Sequence, residues 1–256
     1  MNILGLVFQQ VRYQNKAFWR NPASAFFTFV FPLMFLVIFN LLFGSRPMEV
    51  PGGTVSTSTF YVPGIAAMGL ISACYTNIAI SVTFSRDQGL LKRIRGTPLP
   101  PTAYLLGRVV HATLIAMVLV AIMTIVGALV YGVAIPINTL PAFIITLMVG
   151  SAAFSALGLA MTGFISADAS PAVVNASILP LLFVSDVFIP LRDAPQWLLT
   201  FSGLFPVKHL SAALMRAFNP FTQGSGFSPV DLAVLALWMV IGLVLASRFF
   251  TWDPRR

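Results

Sequence analysis

The chain is predicted to fold as an all-α integral membrane protein, with six transmembrane helices, an N-terminal cytoplasmic amphipathic helix and short re-entrant helices between spans five and six. Three observations carry this. Hydrophobic residues make up 58% of the 256 residues and charged ones only 9%, with a mean hydropathy of +0.91, whereas soluble proteins are about a quarter charged. Apolar runs long enough to cross a bilayer, about 20 residues each, recur along the chain. The cations collect at the ends of those runs, where anionic headgroups and topology determinants call for them. The net charge of +8 is therefore read as membrane-directed, and no nucleic-acid partner is expected.

Residues 1–23 form the first unit. Arg12, Lys16 and Arg20 recur every four residues and make one basic stripe, while Leu4, Val7, Val11 and Phe18 fall on a separate apolar stripe. Such a helix lies flat at the headgroups. It serves either as a topology anchor or as an elbow carrying force from a cytoplasmic partner. Its first twenty residues lack a short apolar core followed by a small-residue cleavage site, so no cleavable signal is expected.

The transmembrane domain, 24–256, has spans near 24–43, 61–84, 109–133, 141–165, 172–189 and 230–250. The fifth is short, carries Pro180 and runs into a Pro-punctuated stretch, 185–210, too broken to cross by itself. Residues 190–228 are read as a non-cytoplasmic segment with one or two partly re-entrant helices; a seventh span across 197–218 is the rival reading. Six spans place both termini on one side. Arg12, Lys16, Arg20, Arg86, Lys92, Arg93, Arg95, Arg108, Arg248, Arg255 and Arg256 lie on that side, against Arg46, Arg192, Lys208 and Arg216 on the other. That imbalance sets both termini in the cytoplasm.

Several chemistries lack their residues. No G-x-x-x-x-G-K-[ST] phosphate loop occurs, so no ATP hydrolysis by that route is expected. Coupling ions in carriers are held by ionisable groups within spans. Here the candidates are His111, at the cytoplasmic edge of span three, and Asp186, near the outer end of span five; each fits an interfacial role or a relay. With two His, seven dispersed acids and one Cys, Cys74, no catalytic cluster, disulfide framework or metal site is expected. Something outside the chain must power any transport.

The stretch 86-RDQGLLKRIRGTPLPPTAYLLGR-108 holds five of the fifteen cations. Gly89 and Gly96 bracket LLKRIR, in which Leu90, Leu91 and Ile94 share one helical face and Lys92, Arg93 and Arg95 occupy the rest. Thr97-Pro98 ends this short helix, and Pro100-Pro101 keeps the chain extended until Thr102 caps the next one. The result is a basic, shaped knob on the largest cytoplasmic loop, or a loop basic only through topology.

This segment resembles the signature of ABC-2 type permeases, the membrane subunits of one class of ATP-binding-cassette exporters, and is closest to their daunorubicin-resistance branch. The matching positions are Arg86, Asp87, Gly89, Leu91, Arg93, Thr97, Pro98, Gly107 and Arg108. A second similarity covers 182–216, where Phe-x-Pro, Pro-x-Trp and Leu-x-Pro precede a short helix ending in Arg216. The departures are Asp87, where many members carry Glu, and Ser185-Asp186, where many carry Ser-Gly. The resemblance implies a separate ATPase subunit dimer, holding ATP and Mg, that pushes on the loop between spans two and three, Lys92 included, and on the N-terminal helix. It implies two permease chains, identical or related, around a cavity on their two-fold axis, in a prokaryotic plasma membrane. By that analogy spans two and five line the cavity, making Tyr75, Asn77, Asn175 and Phe183 candidates for cargo contact, or else packing residues.

The function expected is export of drug-like or lipid-like amphiphiles. Alternatives are polysaccharide or glycolipid export by a related permease, and a standalone secondary carrier. Against the former, the aromatics concentrate in span one (Phe26, Phe27, Phe29, Phe31, Phe35, Phe39) instead of along a channel.

Overall fold

The computed structural model describes residues 2–44, 46–191 and 194–253. Arg192, Arg255 and Arg256, counted above for topology, lie outside the described residues. Helix α1 (Ile3–Trp19) precedes α2 (Pro22–Phe43), with Asn21 accepting from the Ser24 amide at 3.2 Å as a cap. A hairpin follows, β1 (Pro47–Val50) against β2 (Gly53–Ser56). Pro51-Gly52 turns it, and Gly52 takes φ +98°, as the third residue of a type II turn must. Proline-glycine between two short runs was the sequence signal for this hairpin, and the sequence reading passed over it.

Span two is a 30-residue helix, Ser58–Asp87. It comprises α3 (Ser58–Ile71), a π-helical turn (Ser72–Thr76) and α4 (Asn77–Asp87). Then come α5 (Leu90–Arg95), α6 (Pro101–Tyr131) and α7 (Leu140–Thr162). Helix α6 starts one residue before the expected cap: Pro101 occupies its first position, where a missing N–H costs nothing. Thr102 is therefore inside the helix. Close helix contacts fall at the small residues. A Cβ on Gly158 would lie 2.8 Å from the Tyr75 carbonyl, and one on Gly242 2.9 Å from the Ala156 carbonyl carbon.

The fifth span differs from expectation. Helix α8 (Ser170–Phe183) has 14 residues, roughly 21 Å at 1.5 Å per residue, short of a bilayer core. The expected helix to 189 instead stops at Phe183, after Pro180 has removed a hydrogen-bond donor. Non-helical chain continues, with Ser185, Val187 and Phe188 buried. Asp186, at φ +57°, accepts from the Leu191 amide at 2.7 Å. Irregular backbone is tolerated in a membrane where protein covers it, and the rings of Phe35, Phe39 and Phe183 pack on Phe188.

Helices α9 (Gln196–Ser202) and α10 (Pro206–Phe218) meet at 93°. The indole of Trp238 on α11 (Pro229–Phe249) donates to the Leu204 carbonyl at their turn, 3.0 Å away. Trp238 lies seven residues into α11 from Asp231, roughly 10 Å. The far end of α10 returns to the hairpin, where the Asn219 amide donates to Pro51 O at 3.0 Å. The pair is thus a re-entrant unit, not a seventh span. Among the described residues five helices are long and apolar enough to cross, and α8 is a shorter apolar helix beside them. The protein is all-α and membrane-embedded apart from its hairpin. Helix α1, the α4–α5–α6 connection, the α7–α8 turn and Trp252, which packs on Tyr104, gather at one end, the basic end.

Candidate functional site

At the basic end the 86–108 segment divides into a buried half and an exposed half. Arg86 is 1% exposed. Its Nε donates to Asp87 Oδ1 at 2.8 Å, Nη2 to Ile165 O at 2.7 Å and Nη1 to Thr162 O. Asp87 Oδ2 accepts from the Ala167 amide at 2.8 Å. The terminal carbonyls of a helix lack partners and carry its negative end. The guanidinium satisfies one such carbonyl, that of Thr162 at the end of α7, and the carbonyl of Ile165 just beyond it, while Asp87 fixes the following turn. This ion pair therefore pins the end of span two to the α7–α8 connection. Sequence reasoning saw the charged pair but not its partners, which lie 76 and 79 positions away.

Gly89 has φ +74° with open space around it, so only a residue tolerant of the left-handed region turns the chain here. Leu91 is fully buried, anchoring α5 from below. Lys92, Arg93 and Arg95 are exposed, as are Thr97 and Pro98. The Thr97 hydroxyl donates to Ile94 O at 2.7 Å and closes the helix. The surface left outward is three cations and a Thr-Pro corner on a firmly seated six-residue helix.

Gly107 and Arg108 face inward. A Cβ on Gly107 would sit 2.4 Å from Gln10 Cβ, so this glycine is what lets α1 cross α6. Helix α1 buries Gln14 and Phe18 and leaves Arg12, Lys16 and Arg20 exposed. Leu4, expected on the apolar stripe, is also exposed. Arg108 donates to the hydroxyls of Tyr104 (2.9 Å), Ser81 (2.7 Å) and Ser85 (3.2 Å), tying the start of α6 to α4.

The four pathway candidates do not converge. The Tyr75 hydroxyl is buried and hydrogen-bonded to Ser177 at 2.7 Å, joining spans two and five. Asn175 is exposed, its amide spent on Pro171 O at 2.8 Å, and Phe183 is exposed beside Phe188. Asn77 lies on a different face. There a groove of about 600 Å³ between α2 and span two is lined by Ser24, Thr28, Ser72, Thr76, Asn77 and Ser81. Tyr75 and Asn77 stand two residues apart, about 200° around a helix of 3.6 residues per turn, so they face opposite ways.

At the opposite end a cavity of about 680 Å³ is lined by Gly52, Phe60, Asp186, Met215, Arg216 and Asp231. His209 lies beside it, on the re-entrant unit. Its Nδ1 faces Asp231 Oδ1 at 2.6 Å and its Nε2 faces Gly203 O at 2.8 Å. Both partners are acceptors, so the doubly protonated ring is the form that satisfies both contacts. The Asp231 hydrogen bond, first, and the Gly203 carbonyl raise the imidazole's pKa against the opposing effect of burial.

Residues 6–219 match the family model for the ABC-2 type transporter. Among similar proteins, a putative transport permease ycf38 of Pyropia yezoensis is 30% identical over 198 residues, covering 75% of this chain and 66% of its own. The daunorubicin resistance ABC transporter permease protein DrrB1 of Streptomyces coeruleorubidus is 25% identical over 203 residues, 77% of this chain and 69% of its own. The probable multidrug ABC transporter permease YbhR of Escherichia coli K12 is 23% identical over 153 residues, 59% and 41%. The chain spans just under two thirds of the ycf38 protein's length. A match across most of the chain, on a bundle whose basic segment is seated as described, places this protein in the ABC-2 type transporter family.

Proposed function

We propose that the chain is the membrane-spanning permease subunit of an ATP-binding-cassette exporter of drug-like or lipid-like amphiphiles, in a prokaryotic plasma membrane with the basic end in the cytoplasm. A separate ATPase dimer holding ATP and Mg docks on α5, and a second permease chain completes the transport path. The observation that carries this reading is the exposed Lys92–Arg93–Arg95 face on a helix whose underside is anchored by Leu91 and whose leading end is clamped through Arg86 and Asp87. A push received there reaches spans two, four and five through hydrogen bonds, not through a slack loop. The polar groove beside Asn77 suits a cargo with both polar and apolar parts. Transport requires that cargo bind the inward-open state better than the outward-open one, with ATP driving the exchange.

The test is capture of the tagged chain from its native membrane, with ATPase activity measured before and after Lys92→Glu with Arg93→Glu. The expected result is a stoichiometric ATPase partner that is lost on reversal. A chain that purifies alone and moves amphiphiles into liposomes without ATP overturns the reading in favour of a standalone carrier.

A further inference from the structure

Beneath the N-terminal helix lies a cavity of about 200 Å³ walled by Gln14, Asn21, Asn77, Ser81, Arg108 and His111. Its walls come from α1, the start of α2, α4 and α6. The chemistry of these walls is one-sided. Arg108 is half-buried, and among the described residues no carboxylate lies within 4.0 Å of it. Three of its N–H groups meet hydroxyls, all neutral, and a guanidinium has five to offer. Ser81 Oγ accepts from Arg108, which leaves the serine's own proton free to donate. His111 Nε2 is buried and has no hydrogen-bond partner among the described residues, its ring edge-on to Phe18 at 5.8 Å. Two amides, Asn21 and Asn77, complete the lining. A half-buried cation whose N–H groups meet neutral hydroxyls, and which lies over the Tyr104 ring at 5.3 Å, has no anion beside it among the described residues, and a group withdrawn from water favours one being supplied.

The cavity is not isolated. It shares Asn21, Ser24, Asn77 and Ser81 with the 600 Å³ groove, where Phe27, Ile80 and Phe84 add apolar wall. Phe27 is 61% exposed and faces outward from α2. The exposed cations Lys16 and Arg20 stand on the helix above, where they raise the local concentration of anionic headgroups. Polar pocket and apolar groove thus present a headgroup seat and a chain seat side by side, at the depth of one leaflet.

We propose that this pocket binds the phosphate of an anionic phospholipid from the leaflet at the basic end, with Arg108 as its counter-ion, Ser81 and His111 as further donors, and the adjoining groove taking an acyl chain. The acyl seat is the groove that the proposed function offers to cargo, so lipid and cargo would compete there, and the lipid site itself does not depend on which cargo is exported. It requires only that the chain sit in a bilayer. Its occupant substitutes for the missing internal carboxylate and cements α1 and α2 to α4 and α6.

The experiment uses the full chain, purified in a neutral detergent and stripped of lipid. Native mass spectrometry and thermal unfolding are followed while phosphatidylglycerol, phosphatidylcholine or inorganic phosphate is titrated. One phosphatidylglycerol per chain is expected to be retained and to raise Tm, with phosphatidylcholine and inorganic phosphate giving little shift. Arg108→Gln is expected to weaken phosphatidylglycerol binding about tenfold or more, as loss of a charged hydrogen-bond partner does. Ser85→Asp is the second arm, needed if Arg108→Gln does not fold. It places a carboxylate where Ser85 Oγ now receives Arg108 Nη2, so it should raise Tm without lipid and abolish the phosphatidylglycerol increment. An equal response to phosphatidylcholine, or an undiminished increment in Ser85→Asp, overturns the proposal. A shift with inorganic phosphate as large as that with the lipid assigns the pocket to a free anion and overturns the lipid assignment.

Discussion

Replacing Arg86 by Gln tests whether the head of the 86–108 segment is a structural clamp. The substitution removes a guanidinium that is 1% exposed and makes three hydrogen bonds, to Asp87, Thr162 O and Ile165 O. Asp87 loses its guanidinium partner, and the carbonyls of Thr162 and Ile165 lose their donor. Breaking one side of a buried ion pair costs about 3–5 kcal/mol. At roughly 2–4 °C per kcal/mol for a chain of this size, the expected fall in Tm is roughly 6–20 °C. Arg93→Gln, on the exposed face of α5, is the matched control and should move Tm by no more than about 2 °C. Both proteins are measured in the same detergent by intrinsic fluorescence during a thermal ramp. If Arg86→Gln melts within about 2 °C of the wild type, the clamp argument is wrong and Arg86 belongs with the exposed cations of α5.

Gly107→Ala places a Cβ where Gln10 Cβ already sits, so α1 must lift off α6. Overpacking of this kind costs about 1–3 kcal/mol, and limited proteolysis should cut α1 faster in the variant than in the wild type. His209 gives a pH dependence. Its folded pKa is raised above 6.5 by Asp231 and then by the Gly203 carbonyl, with burial and Lys208 opposing. Its contribution is therefore fully present below about pH 6.5 and lost as pH rises through the folded value. Tm should fall on going from pH 6 to pH 9, and the slope should flatten in His209→Gln; equal slopes in the two proteins would refute the doubly protonated assignment.

The long spans were legible because length and hydropathy decide them. The helices Pro22–Phe43, Leu140–Thr162 and Pro229–Phe249 begin and end within about three residues of the apolar runs at 24–43, 141–165 and 230–250. Span five was not, since its apolar run continues to 189 while Pro180 and the left-handed Asp186 end the helix at Phe183. The re-entrant unit was legible in kind from its prolines, and the choice between re-entry and a seventh span came from the Trp238–Leu204 contact, which no local pattern encodes. In the candidate site, the amphipathic split of Leu91 against Lys92 and Arg93 was readable at helical spacing. The burial of Arg86 was not, because a motif shows which charges are neighbours in sequence and not which carbonyls await them across the fold. The pathway candidates scattered for a plainer reason: Tyr75 and Asn77, two residues apart on one helix, point to opposite faces, as their spacing already dictates.

The re-entrant unit also bears on the order of assembly. The carbonyl of Leu204, at the turn between α9 and α10, receives its proton from Trp238, and that of Gly203 from His209, held by Asp231. Trp238 and Asp231 both belong to α11, which emerges later in synthesis. Until α11 is in place, the Leu204 carbonyl lacks its Trp238 donor and His209 lacks its Asp231 partner. The contacts that hold this turn therefore close only once α11 has joined the bundle, whereas the Arg86 clamp is made wholly from earlier chain.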